Sequence, residues 1–134
     1  MEEYFDDIGD YMSSPVLSID SELTVQEAAQ QMHAKNVGAL LVRVCEEYVG
    51  IITETDLARK VVALGLNLET TLVSSVMTKP LLSMDRYFPV EEAEEFMQKH
   101  KIRHLAVTEE DEIVGMLSVK DLVSCYSKAF KMAE

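Results

Sequence analysis

The sequence is poor in several things at once: no tryptophan, two cysteines, three prolines and five glycines in 134 residues, and 12 basic side chains against 24 acidic ones. Each shortage excludes a class. Two thiols, Cys45 and Cys125, make no disulfide framework and read as buried thiols of a reducing compartment. A formal charge of −12 argues against nucleic acid, because affinity for a phosphate backbone rests on clustered Lys and Arg that release counterions. No apolar run approaches the ~18 residues that suggest a membrane span. The opening MEEYFDDIGDYM is acidic where a secretory leader would be basic and then apolar. A soluble, cytoplasmic chain without a membrane partner is expected. His33, His100 and His104 have no carboxylate or cysteine at metal-ligand spacing, and there is no glycine-rich phosphate loop or nucleophile elbow. No nucleophile, metal set or general-base pair can be assembled, so neither an enzyme nor a catalytic cofactor is expected.

What is present is repetition. Sliding the chain against itself by 65 residues aligns 11–63 with 76–128 without a gap, with 16 identities in 53 pairs. Met12 and Pro15 fall on Met77 and Pro80; Val25, Glu27, Ala28 and Met32 fall on Val90, Glu92, Ala93 and Met97; Gly50, Asp56 and Leu57 fall on Gly115, Asp121 and Leu122. Such an interval decides the organisation before any secondary structure is assigned. With 48% apolar residues, two copies can bury one core or two small half-cores packed together. Charge is shared unequally: residues 1–65 hold 12 acids and 4 bases, 66–134 hold 12 acids and 8 bases. Most of the positive character gathers in Lys99-His100-Lys101-Ile102-Arg103-His104, a run that also suits a solvated helix end.

Within each copy the period changes. Val25, Ala28, Ala29 and Met32 form an i, i+3, i+4, i+7 stripe, and Thr24-Val-Gln-Glu27 supplies a capping box, so a helix is predicted there. Its duplicate starts at Pro89, whose missing N–H is harmless in a first turn, and buries Val90, Ala93 and Met97. Short apolar runs at 39–42 and 48–52, and again at 105–107 and 113–117, flank acidic turns and predict two hairpins. A closing helix follows each, carrying Leu57, Val61 and Leu64 before Gly65 as C-cap, and Leu122, Tyr126 and Phe130 in the second copy. Met12, Met32, Met77 and Met97 recur in register and read as core.

The order Met-Ser/Thr-x-x-Pro, helix, paired strands, then Gly-h-h-Ser/Thr-x-x-Asp-Leu (GIITETDL at 50–57, GMLSVKDL at 115–122) closely resembles a tandem pair of CBS domains. The resemblance covers about Asp7 to Ser127, with repeats at 7–65 and 72–130. It implies an α/β (α+β) fold: two β-α-β-β-α repeats with pseudo-two-fold symmetry, sheets facing each other and helices outside. It also implies clefts between the repeats for adenosine-containing ligands (AMP, ADP, ATP, S-adenosylmethionine or NAD), face-to-face homodimers, and a regulatory module that acts on a separate protein. The alternative is a dimerisation or scaffold module with degenerate pockets.

The residues give that resemblance a chemistry. A ribose offers two adjacent hydroxyl donors, and an ionised carboxylate accepts both through charge-assisted bonds of roughly 1.5–3 kcal/mol each. Thr53-x-x-Asp56 and Ser118-x-x-Asp121 place such an acid at a helix start, and the same spacing equally serves capping. Ile51 and Ile52 are placed to flank a purine. Carried over position by position, the resemblance implies one site joining Thr53, Thr55 and Asp56 with Arg86, Ile102, Arg103 and His104. A second joins Ser118, Lys120 and Asp121 with Ser21, Val37 and Gly38. The first has the guanidinium that a phosphate calls for; the second is neutral, with Lys120 its one counter-charge and Gly38 allowing close backbone approach. Arg86 stands where binding members often have a small hydroxyl residue, and it either grips phosphate or fills the purine pocket.

Overall fold

A computed structural model describes residues 6–133. In the first repeat, β1 (Ser18–Asp20) leads to α1 (Val25–Lys35), then to the hairpin β2 (Ala39–Val44) and β3 (Glu47–Thr53). A single helical turn, α2 (Glu54–Asp56), runs on as a π-helical stretch, Leu57–Val62, and α3 (Val73–Val76) follows. The second repeat has β4 (Ser83–Asp85), α4 (Val90–His100), β5 (His104–Glu109), β6 (Glu112–Ser118) and α5 (Val119–Ala133). Local chemistry explains the ends. The Thr24 hydroxyl and Glu27 carboxylate cap α1 reciprocally, and left-handed Asn36 and Lys101 close α1 and α4.

Each repeat forms its own three-stranded mixed sheet, β1-β2-β3 and β4-β5-β6. The helix between the first two strands makes the crossover that a parallel pair requires, while the tight acidic turn makes the next pair antiparallel. Both hairpins slip register at the duplicated place, Val42/Arg43 and Val107/Thr108.

The compact units are offset from the sequence repeats. One spans Leu17–Leu81; the other joins the chain up to Val16 with the stretch from Leu82 onward. Each sheet is therefore extended by the leading segment of the other repeat: Ser13 bridges Met116 antiparallel, and Thr78 bridges Ile51. This accounts for the glycine of the duplicated motif. A Cβ on Gly50 would stand 2.7 Å from the Thr78 carbonyl oxygen, and one on Gly115 would stand 2.8 Å from that of Ser13 and 2.6 Å from the Met12 sulfur. Met32 and Met97 are buried, with Met77 and Met12 packed against the respective cores.

Several side chains depart from the expected stripes. Ala29 is exposed, on the outer side of α1, where it lines a groove of about 390 Å³ with His33, Leu57, Val61 and Leu68. Leu64 is 68% exposed because the π-helical turn, closed by Ala63 N–H on the Ala58 carbonyl, shifts the phase after buried Val61. Gly65 ends this helix with φ +68°, its N–H on Val62 and that of Leu66 on Val61. Phe130 is 71% exposed and Tyr126 is also exposed, since α5 outruns its own core after Leu122 and Cys125. Cys45 is exposed in the β2–β3 turn rather than buried, and both thiols are free. Pro89 is the N-cap of α4, one residue before the first turn in which it was expected.

Candidate functional site

Both motif hydroxyl–acid pairs cap helix starts, and they do so alike. Asp56 Oδ2 accepts from the Thr53 N–H (3.0 Å) and Thr53 Oγ1 (3.2 Å), while the Asp56 N–H donates to Thr53 Oγ1 at 3.1 Å. Asp121 Oδ2 accepts from the Ser118 N–H (2.8 Å) and Ser118 Oγ (3.1 Å), and its own N–H returns to Ser118 Oγ at 3.3 Å. The hairpin register sets Ala39 opposite Thr53 and His104 opposite Ser118. The residue before each strand closes the junction: the Gly38 carbonyl accepts from Glu54 N–H, and the Arg103 carbonyl from Val119 N–H. Gly38 thus adjoins the Thr53–Asp56 pair, and Arg103 and His104 adjoin the Ser118–Asp121 pair, each within one unit.

The second carboxylate oxygen separates the two junctions. Asp56 Oδ1 accepts from Thr78 Oγ1 at 2.8 Å and pairs with Lys60 Nζ at 2.9 Å. Asp56 is 5% exposed. The Lys60 ammonium also donates to the Val76 carbonyl (3.0 Å) and to Thr78 Oγ1 (3.2 Å). At Asp121 the residues 65 positions on from Lys60 and 65 positions back from Thr78 are Cys125 and Ser13, and among the described residues no hydroxyl or ammonium bonds Oδ1. Asp121 is half-buried.

The other expected residues distribute as follows. Thr55, Lys120 and Arg103 have exposed side chains. Val37 and Ile102 are half-buried against the cores of their own units. Ser21 is buried, its hydroxyl directed at Glu22 and its N–H on the Arg43 carbonyl. Arg86 is neither free nor loose: Nη1 pairs with Glu109 Oε1 at 3.1 Å, the guanidinium lies 5.6 Å from the Tyr87 ring centroid, and a Cβ on Gly9 would meet Arg86 Nε at 2.7 Å. Arg86, Ile102 and Arg103 belong to one unit, and Thr53, Thr55 and Asp56 to the other.

Sequence reasoning passed over Lys60 and Thr78. Lys60 sits at i+4 from Asp56, a spacing that signals a helical ion pair; Thr78 is reached only through tertiary structure. It also passed over a polar cluster at the base of α5. Tyr11 O–H donates to Asp6 Oδ2 at 2.6 Å, Lys128 Nζ stands 3.6 Å from the same oxygen, and Cys125 lies alongside. Burial first, and the Asp6 hydrogen bond next, push the Tyr11 phenol well above its ordinary value; burial likewise raises the Cys125 thiol. Among the described residues no group of three His, Cys, Asp or Glu could hold a metal, and no helix is long and apolar enough to cross a membrane.

The duplicated chain resembles known proteins in sequence and in fold. A profile of the CBS domain matches residues 8–63 and 73–128. CBS domain-containing protein YhcV of Bacillus subtilis is 33% identical over 115 residues, covering 86% of this chain and 81% of that protein. CBSCBSPB1 of Arabidopsis thaliana is 35% identical over 123 residues, covering 90% of this chain but 22% of the relative, so the chain spans about a fifth of that relative's length. Among solved structures, a putative signal-transduction protein with CBS domains from Burkholderia ambifaria superposes with TM-score 0.85 at 28% identity, covering 90% of this chain and 93% of that one. The CBS domain pair of MJ0100, solved with 5′-methylthioadenosine and S-adenosyl-L-methionine, superposes with TM-score 0.81 at 24% identity, covering 93% and 98%. With both repeats matched, and each carrying the capped Ser/Thr-x-x-Asp turn behind a glycine that admits the leading segment, the chain belongs to the CBS-domain family as a tandem pair of repeats.

Proposed function

We propose that the chain is a non-catalytic, cytoplasmic regulatory module that binds an adenosine-containing ligand, AMP or ATP before ADP, NAD or S-adenosylmethionine, and acts as a homodimer on a separate protein. The observation that carries this reading is the Ser118–Asp121 junction. There a capping carboxylate keeps one oxygen clear, among the described residues, of hydroxyl and ammonium donors, next to the backbone of Arg103, whose guanidinium is exposed. A carboxylate for a ribose diol and a guanidinium for a phosphate are the two groups that a nucleoside phosphate requires. Lys120 and His104 add polar groups at the same junction, whose counterparts in the first repeat are Thr53, Thr55 and Asp56 with Gly38 and Val37. Support also comes from the adenosine compounds held by MJ0100. Exposed Val62, Leu64 and Leu66 on one unit and Val123 and Phe130 on the other support an assembly that covers them.

A second reading, a scaffold with degenerate pockets, is favoured by Asp56, whose carboxylate is satisfied from within the chain. Thermal unfolding in the presence of AMP, ADP, ATP, NAD and S-adenosylmethionine separates the two. A ligand bound only by the folded state adds about 2.7 kcal/mol at a hundredfold excess over Kd. A rise in unfolding temperature with any of them supports the sensor, and no rise with all of them supports the scaffold.

A further inference from the structure

The two motif aspartates differ in what already occupies them. A carboxylate offers about four acceptor positions. Asp56 has four donors on it: the Thr53 N–H and hydroxyl on Oδ2, the Thr78 hydroxyl and the Lys60 ammonium on Oδ1. The ammonium is itself complete, with its three N–H groups directed at Asp56, the Val76 carbonyl and Thr78. A ribose diol reaching Asp56 has to displace both an ammonium and a hydroxyl that the fold already holds in place, and to leave Lys60 and Thr78 without their acceptor. The delivery of Thr78 is rigid, since its backbone pairs with Ile51 through both N–H and carbonyl at 2.7 and 3.0 Å. Across the repeat, Cys125 and Ser13 stand in place of Lys60 and Thr78, and neither bonds Asp121.

We propose that Lys60, held by Thr78 and Val76, is a built-in occupant of the Asp56 junction, making it a specificity-determining residue that closes the first repeat and leaves the chain one adenosine-type site, at Asp121. This rests on the nucleotide reading above and adds its stoichiometry. It also reverses the ranking drawn from sequence, in which the Asp56 junction was the better endowed.

The test is calorimetric titration of the full chain with AMP, comparing the unaltered protein with Asp56→Asn, Lys60→Met and Lys60→Met/Thr78→Val. The expected result is one AMP per chain in the unaltered protein and in Asp56→Asn, and two per chain in the double variant. Lys60→Met alone keeps the cap and the Thr78 bond, and therefore the fold; it should show the same second site at lower affinity. Two sites in the unaltered protein, or one in every variant, overturns the inference and leaves the nucleotide reading standing. Loss of binding in Lys60→Met makes the ammonium a phosphate ligand and likewise overturns it. No AMP binding by any form overturns both.

Discussion

Replacing Asp56 by alanine should destabilise the protein far more than the same change at Asp121, although the two residues occupy the same place in the duplicated motif. Capping alone costs about 0.5–2 kcal/mol, and both variants lose it. Asp56→Ala also removes the acceptor of the Thr78 hydroxyl, a bond to a charged group worth roughly 1.5–3 kcal/mol, made at 2.8 Å by a carboxylate that is 5% exposed. The Lys60 pair adds little, because the lysine side chain is 44% exposed and solvent-screened pairs contribute about 0.3–0.5 kcal/mol. The total is about 3–4 kcal/mol for Asp56→Ala against ~1 kcal/mol for Asp121→Ala. With a urea m-value of about 1–3 kcal/mol/M, the two unfolding midpoints should differ by ~1 M. Midpoints that shift equally, with unchanged m, would refute the reasoning, since the Lys60–Thr78 side of the carboxylate would then contribute nothing to stability.

Three further outcomes are expected. Gly50→Ala and Gly115→Ala each force a Cβ to within 2.8 Å of a backbone carbonyl, so each should lose about 1–3 kcal/mol in chemical denaturation; a neutral effect would contradict the close approach of the leading segments. Under native conditions near neutral pH, iodoacetamide should modify exposed Cys45 and spare Cys125, which is buried and whose thiol is pushed up by that burial; mass spectrometry of the alkylated protein reads this, and modification of both thiols contradicts it. Light scattering should report a particle of twice the 15.1 kDa chain mass, and a monomer at tens of micromolar would remove the assembly from the proposal.

The fold was legible because duplication turns a weak local pattern into a registered one. The capping box at Thr24, the αL end at Gly65 and both hairpins follow from neighbours within a few residues. What was not legible depends on contacts distant in sequence or on helix phase. Leu64 leaves the stripe because a π-turn intervenes, and nothing in the i+3 spacing announces one. Cys45 is exposed because an acidic hairpin turn lifts it out. Gly50 is needed because Thr78 arrives from 28 residues on, which also explains why a capping carboxylate that looked half-free in sequence is full in the fold. Arg86 was open to two roles and has a third partner, Glu109, brought beside it by the β4–β5 pairing. The site chemistry is therefore legible in its residue types and illegible in its occupancy.

The most direct test of the account is calorimetric titration of AMP into the unaltered protein and into Asp121→Asn under identical salt. The account predicts saturable binding to the unaltered protein, and a loss of ~3 kcal/mol, over a hundredfold in affinity, when the carboxylate that accepts the two ribose hydroxyls is neutralised. Binding that is unchanged in Asp121→Asn, or absent from the unaltered protein at millimolar AMP, would contradict it.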